Sequence, residues 1–449
     1  MTDSATQAST ALPRLAVIGT GYLGAVHAAC MADFGFDVIG IDTDQRKIDE
    51  LSAGIAPFFE PGLNEVLARA LASGRLTFST ELHAAASFAD VFFICVGTPQ
   101  QARSNAADVS YVDAAVKGLA ALLTRDALIV GKSTVPVGTA ARLTDVVNGL
   151  AAPGVKVELA WNPEFLREGH AVADTQRPDR IVVGTTSDTA DATLREVYKI
   201  PLADNVPYLR TDLATAELVK VAANSFLATK ISFINAMAEV CDKVGADVSL
   251  LAEALGHDTR IGPQFLRAGI GFGGGCLPKD IRAFMARAGE LGVDDTLSFL
   301  RQIDEINFRQ RERAAEAATS MLDGVVIGKR IGVLGAAFKP NSDDVRDSPA
   351  LHVAANLHLQ GANLRVFDPH ANANAAAVYP TLDYAQSALE ACEGANLVLL
   401  LTEWAEFVAI DPAELAEVVE TKRIFDARNA LDATRWREAG WEFRGLGRP

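Results

Sequence analysis

Leu15-Ala16-Val17-Ile18-Gly19-Thr20-Gly21-Tyr22-Leu23-Gly24 is the stretch on which the fold turns. Four apolar residues run into glycines spaced Gly-x-Gly-x-x-Gly, and a helix-forming run follows. Gly19 would make a tight turn, Gly21 would let the main chain approach a pyrophosphate, and Gly24 would let the helix pack closely on the strand. The free N–H groups at the helix start, which includes Tyr22 and Leu23, would face the phosphates. Such a trio alone is weak evidence. Here Asp42 ends the next strand, 38–41, where it would accept from ribose hydroxyls and repel a 2′-phosphate. That context predicts a dinucleotide-binding βαβ unit that prefers NAD to NADP; a purely structural turn is the alternative.

Outward from this unit, short β-branched runs at 91–96, 127–130, 155–159 and 181–183 alternate with helix-length segments as far as residue 209. That alternation predicts a parallel sheet covered on both faces. Polar residues follow the strands, among them Thr98, Lys132-Ser133-Thr134 and Asn162-Pro163-Glu164, and ligands collect at such strand ends. Residues 212–244 then hold helical periodicity without proline until Gly245, which predicts a helix of more than thirty residues that spans domains or builds a subunit interface. The last third repeats the opening. Arg330-Ile331-Gly332-Val333-Leu334-Gly335 resembles residues 14–19, and Gly361 precedes Asp368 by the spacing that separates Gly35 from Asp42. Residues 339–348 stand where later glycines would be, so a second doubly wound domain with a different ligand is expected.

With 449 residues, about three domains are expected. A net charge of −16 argues against a basic nucleic-acid face or a polybasic membrane patch, and no apolar run is long enough to span a bilayer. Residues 1–12 read as a disordered lead rather than a signal peptide. The five cysteines are scattered without metal-ligand spacing, which predicts a reducing cytoplasm and no bound metal.

Three further stretches carry chemistry. In Asn162-Pro163-Glu164-Phe165-Leu166-Arg167-Glu168-Gly169, a helical turn begun at Pro163 would set Glu164 and Glu168 on one face. Two carboxylates so placed, with no lysine at the same spacing, would raise one pKa and suit acid–base work; two solvated glutamates are the alternative. Lys220 and Asn224 lie one helical turn apart among apolar neighbours, where a lysine is ordinarily a structural edge residue. In Gly271-Phe272-Gly273-Gly274-Gly275-Cys276-Leu277-Pro278-Lys279-Asp280, a helix starting near Pro278 would set Cys276 at its N-terminus beside Lys279, and both favour a thiolate. The glycines could aim N–H groups at a developing oxyanion, with Asp280 as proton acceptor. Cys30, Cys95, Cys241 and Cys392 read as small buried hydrophobes. An NAD site, an activated thiol and carboxylates point to oxidation at the aldehyde level; Lys220, Asn224 and Asp280 gain a purpose if an alcohol is oxidised first.

These motifs, in this order and over about residues 14–428, resemble the nucleotide-sugar dehydrogenase family of UDP-glucose and GDP-mannose dehydrogenases. The resemblance rests on GTGYLG, STVPVG (133–138), NPEFLREG, KVAANSFLATKISFINA (220–236), DTRIG (258–262), GFGGGCLPKD and FKPNSDDVRDSPA. It implies oxidation of the C6 alcohol of UDP-glucose to a carboxylate with two NAD and no release of aldehyde. Cys276 would be the nucleophile that holds the intermediate, with Glu164 assisting thioester hydrolysis. Lys220, Asn224 and Asp280 would handle the alkoxide, the proton and a water. Thr134 and Glu168 would lie on the nicotinamide side, with Lys47, Thr98, Lys279 and Arg346 as further NAD contacts. Glu164 to Glu168, through Phe165, Leu166 and Arg167, would line the substrate together with Lys220, Asn224, Phe265, Leu266, Arg267, Ala268, Gly269, Gly273, Phe338, Lys339 and Arg428. Arg260 would reach across a homodimer, or a higher homo-oligomer, built through the long helix. The implied fold is α/β: two doubly wound Rossmann-like domains (13–210 for NAD, 323–449 for the UDP-sugar) joined by a central helical domain, 211–322.

Gly275 and Leu277 stand where a serine and a phenylalanine are common. The leucine points to the GDP-mannose branch, while residues 177–184 and 256–258 look like the UDP-glucose branch. GDP-mannose or UDP-N-acetylmannosamine oxidation is the alternative within the family. A catalytically silent sensor of NAD or nucleotide sugar is the alternative outside it.

Overall fold

A computed structural model describes residues 12–449; all but the last residue of the expected lead lies outside the described residues. The described residues divide into two compact units, 12–220 and 221–449. In the first, strands β1 (Leu15–Ile18), β2 (Val38–Ile41), β3 (Leu76–Ser79), β4 (Val91–Ile94), β5 (Ala127–Gly131), β6 (Val157–Trp161), β7 (Ile181–Gly184) and β8 (Tyr208–Thr211) form one sheet in the order β3-β2-β1-β4-β5-β6-β7-β8. Side chains alternate between its faces. Leu15, Val17, Phe93 and Val130 enter one core, while Ala16, Ile18, Phe92 and Ile129 enter the other. Helices cover both faces, so every central strand is apolar on both sides.

Two expectations need correction. The sheet is mixed rather than parallel, because β7 meets β6 antiparallel through Trp161 and Gly184, with β8 parallel to β7. Strands β3 and β8 were not expected at all. They are the two edges, and half-exposed residues break the apolar run that marks the other strands.

Leu213–Val244 is a single helix of 32 residues, about 48 Å long at 1.5 Å per residue. The second unit continues with helices Val248–Gly256, Leu277–Glu290 and Phe299–Met321. It ends in an all-parallel sheet made of β9 (Arg330–Leu334), β10 (Asn363–Phe367), β11 (Asp383–Tyr384), β12 (Leu397–Leu400), β13 (Arg423–Asp426) and β14 (Glu442–Gly445). Its order, β11-β10-β9-β12-β13-β14, repeats that of the first six strands of the other sheet. The fold is α/β, doubly wound twice, with a long helix that follows the first sheet and precedes the second along the chain. Among the described residues no helix is long and apolar enough to cross a membrane.

Candidate active site

In the first unit β1 turns at Gly19, whose φ of +93° is open to glycine and whose Cβ would lie 2.9 Å from the Val96 main chain. Helix Tyr22–Asp33 starts at once. A Cβ on Gly24 would lie 1.8 Å from the Gly19 carbonyl oxygen, so only glycine lets the helix sit this close to the strand. A Cβ on Gly21 would meet nothing within 4 Å, and no side chain caps the helix there. Open space over a bare main chain at a helix N-terminus fits a pyrophosphate. Asp42 accepts from the Thr20 N–H at 2.9 Å and the Asp44 N–H at 3.0 Å, with the Lys47 ammonium at 3.7 Å. Thr98 donates its hydroxyl to the Thr134 carbonyl at 2.8 Å, which joins the loops after β4 and β5.

The segment from Asn162 to Gly169 is not helical, so Glu164 and Glu168 do not share a helical face. Glu164 folds back on its own chain instead, where its Oε1 accepts from the Phe165 and Leu166 N–H groups at 2.7 and 2.9 Å. Its Oε2 lies 2.9 Å from Nζ of Lys132, which is buried at the end of β5. Burial opposes ionisation of Glu164, but Lys132 together with the Leu166 and Phe165 N–H groups outweighs it and holds the carboxyl below its usual value. The expected raised pKa is therefore reversed, because the lysine that counts is 32 positions away rather than four. The Phe165 ring lies under the Arg180 guanidinium at 4.0 Å and 5.6 Å from Nζ of Lys220. Arg167 pairs with Asp174 at 2.6 Å.

Glu60 was not foreseen. Its buried carboxylate accepts from the Tyr22 hydroxyl and from the N–H groups of Gly169 and Ala171, both at 2.7 Å. It thereby clamps the Glu164–Gly169 segment to the start of the first helix. Burial, and then Glu60, push the Tyr22 hydroxyl far above its ordinary pKa. A carboxylate set before a Pro61-Gly62 turn among Phe58 and Phe59 was the available signal.

In the second unit Cys276 is exposed and forms the N-cap of helix Leu277–Glu290, with Pro278 in its first turn. Asp280 is 1% exposed and accepts from the Asn224 amide at 2.6 Å and from Lys279 Nζ at 2.7 Å. Cys276 and Asp280 thus share one helix start, braced by Asn224 from the long helix, where Lys220 stands one turn earlier.

The glycines before Cys276 serve packing. A Cβ on Gly271 would lie 2.4 Å from Oδ1 of Asn307, on Gly273 2.3 Å from the Asp347 carbonyl, on Gly274 2.8 Å from the Phe338 ring and on Gly275 2.4 Å from the Arg346 guanidinium carbon. At these points the direction a side chain would take is filled by the chain's own atoms. Asn307 makes both available bonds with Phe272, accepting from its N–H at 2.7 Å and donating to its carbonyl at 3.0 Å. Arg428 is spent in the same way. Its three nitrogens donate to the carbonyls of Leu401, Gly271 and Phe338 at 2.7–3.1 Å, so it braces three segments. Leu266 and Ala268 are buried with Ile234, Ala238 and Cys241, while Phe265, at φ +63°, and Arg267 are exposed. Only the latter two can turn side chains to a ligand. Gly269 donates its N–H to Asn235 at 2.8 Å. Lys339 sits over the Phe338 ring at 5.5 Å, and Arg260 pairs with Asp258 at 2.6 Å on the surface. Among the described residues no group of His, Cys, Asp and Glu is arranged to hold a metal.

Comparison with known proteins adds the decisive observation. Residues 13–201 match the NAD binding domain of the UDP-glucose/GDP-mannose dehydrogenase family, residues 214–309 its central domain and residues 332–433 its UDP binding domain. The chain belongs to that family. A UDP-glucose 6-dehydrogenase of Bacillus subtilis is 42% identical over 439 residues, which cover 97% of each chain. Among solved structures, a UDP-glucose dehydrogenase of Pyrobaculum islandicum superposes with a TM-score of 0.89 at 38% identity, covering 98% of both chains. A UDP-D-ManNAc dehydrogenase of Pyrococcus horikoshii does so with a TM-score of 0.84 at 27% identity, covering 97% of this chain and 99% of the other. Family membership makes the first doubly wound sheet part of an NAD-binding domain and the second part of a UDP-binding domain.

Proposed function

We propose that this chain oxidises the C6 alcohol of UDP-glucose to the carboxylate of UDP-glucuronate and consumes two NAD and one water. The reading rests on one observation above the rest. An exposed cysteine caps a helix N-terminus within one turn of a buried carboxylate that is held by Asn224 and Lys279. NAD, when bound, accepts the hydrides. Lys220, with Asn224 and Asp280, holds the alkoxide and passes on its proton; Cys276 adds to the aldehyde carbon as a thiohemiacetal, which becomes a thioester only on loss of the second hydride, and Glu164 assists hydrolysis of that thioester. Thr98, Thr134, Lys47, Glu168, Lys279 and Arg346 complete the NAD contacts. Phe265, Arg267 and Lys339 supply side chains to the nucleotide sugar.

UDP-glucose is favoured over GDP-mannose and UDP-N-acetylmannosamine by the high identity to UDP-glucose enzymes over nearly the whole chain. The complete set Glu164, Lys220, Asn224, Cys276 and Asp280 favours an enzyme over a silent sensor. The three-domain division at 210 and 322 belongs to the same reading, as does the reducing cytoplasm, where the Cys276 thiol stays reduced. So does a homodimer through the long helix. Leu218, Phe226, Phe233, Val240 and Val244 are all exposed along it, at intervals of seven or eight and then four residues, and they form one apolar stripe. NADH absorbance with a panel of nucleotide sugars tests the reading. Two NADH per UDP-glucose are expected; turnover of GDP-mannose alone, or one NADH with free aldehyde accumulating, would overturn it.

A further inference from the structure

Lys132 stands at the carboxyl end of β5 with its side chain 4% exposed. A buried lysine is expensive, and packing alone would be served as well by methionine. Its ammonium has three N–H bonds to place and three oxygens around it: Oε2 of Glu164 at 2.9 Å, Oδ1 of Asn162 at 3.1 Å and the Tyr198 hydroxyl at 3.4 Å. Tyr198 in turn donates to the same Asn162 oxygen at 2.5 Å, and Asn162 donates its amide to the Val182 carbonyl, so the cage is held from β7 and from the turn at Tyr198 between helices Asp188–Val197 and Lys199–Ala203. The Phe93 ring lies 6.0 Å from the ammonium. With Phe165 and Leu166 N–H groups on its other oxygen, Glu164 is gripped on both sides.

We propose that Lys132 is a positioning residue of this reaction, acting through Glu164: it fixes that carboxylate in place and keeps it ionised to receive the proton of the hydrolytic water. This rests on the reading that Glu164 assists thioester hydrolysis. In that step the water oxygen bonds to the acyl carbon and its proton passes to Glu164. The C–S bond breaks, its electron pair returns to Cys276 Sγ, and no electrons are exchanged with NAD. An ionised carboxylate is the form able to accept the proton, and the lysine keeps it so in a buried place that would otherwise favour the acid.

The neighbouring groups leave the pair in control. Burial keeps His27, on the first helix, neutral, and it pushes the thiols of Cys30 and Cys95 up to about 12. Burial also raises Tyr198. Burial works against the charge on Lys132 as well, but Glu164 and, less strongly, Tyr198 and Cys95 keep it protonated. Among these neighbours, the positive charge that favours the ionised form of Glu164 is that of Lys132.

The test uses the full-length protein with Lys132→Met, Lys132→Arg, Glu164→Gln and the Met/Gln double variant, following NADH by absorbance and the covalent adduct on Cys276 by intact-protein mass. In Lys132→Met the adduct should accumulate. Its decay should slow about tenfold on the acid limb, which should move up by about one pH unit, and the rate should return once the pH is well above that limb. The direction follows from the pairing: without the ammonium Glu164 protonates at higher pH and loses its capacity as a base. Lys132→Arg should restore most of the rate, and adding Lys132→Met to Glu164→Gln should slow decay less than about twofold further. An unshifted pH profile in Lys132→Met, or a full tenfold loss on top of Glu164→Gln, would overturn the role given to Lys132 while leaving the thioester route intact. Wild-type protein that turns over without any adduct would overturn the thioester route, and this proposal with it.

Discussion

The turns that follow β1 and β9 occupy the same place in two sheets of the same strand order, and they have been put to opposite uses. After Gly19 a helix begins within three residues, no side chain caps it, and Asp42 keeps part of its carboxylate toward solvent. After Gly335 the helix begins only at Pro349, and Ser348 caps it by accepting from the Leu351 N–H while donating to the Ala336 carbonyl at 2.6 Å. Asp368, the counterpart of Asp42, is 1% exposed and accepts five N–H groups, from Ala336, Ala337, His370, Ala371 and the Trp404 indole. The first turn leaves its donors to a ligand. The second has satisfied its own. Strand order alone therefore does not make a dinucleotide site; what matters is which polar groups the local chain leaves unfilled.

Breaking the first turn should do the most damage. Gly24→Ala drives a methyl into the Gly19 carbonyl at a contact the main chain cannot relieve. A loss of about 3 kcal/mol or more, a Tm lower by about 6 °C or more, and no measurable NAD binding are expected. Thermal melting and NAD titration check this, and a variant with wild-type NAD affinity would refute the close-packing role. The two aspartates sharpen the contrast next. Asp368→Asn sets an amide N–H₂ against buried donors and should cost about 2–3 kcal/mol of stability with KM for NAD unmoved. Asp42→Ala should do the reverse. KM for NAD should rise about tenfold or more and NADP should become a usable cofactor, with a smaller stability loss of about 1–2 kcal/mol from the Thr20 and Asp44 N–H groups left without their acceptor. Steady-state kinetics with both cofactors, beside melting curves, would expose any exchange of these roles. The mildest change is Gly275→Ser, whose Cβ meets only the flexible end of Arg346. A rise of about three- to tenfold in KM for NAD, with Tm nearly constant, is expected if Arg346 contacts the cofactor.

The strands with continuous apolar runs, the long helix and the helix start at Cys276 were legible because each is written in adjacent residues. The edge strands Leu-Thr-Phe-Ser and Tyr-Leu-Arg-Thr were not, since pairing with one neighbour rather than burial makes them strands. The same divide runs through the site. Gly19, Gly21 and Gly24 could be given separate duties from spacing alone. The partners of Glu164 could not, because Lys132 comes from another strand and Glu60 from a turn more than a hundred residues before Gly169. The glycines before Cys276 announced freedom of the main chain. What they make room for, Asn307, Asp347, Phe338 and Arg346, is invisible until the chain is folded.

That last packing has an evolutionary consequence. Gly273, Gly274 and Gly275 each pack against the 338–349 segment, so neither side can drift by itself. A serine at 275 only displaces the end of the Arg346 side chain, whereas a side chain at 273 becomes acceptable only once the Asp347–Pro349 segment has withdrawn. Change along this seam is expected to arrive in pairs, so that the substitutions tolerated on one side form a record of what has already happened on the other.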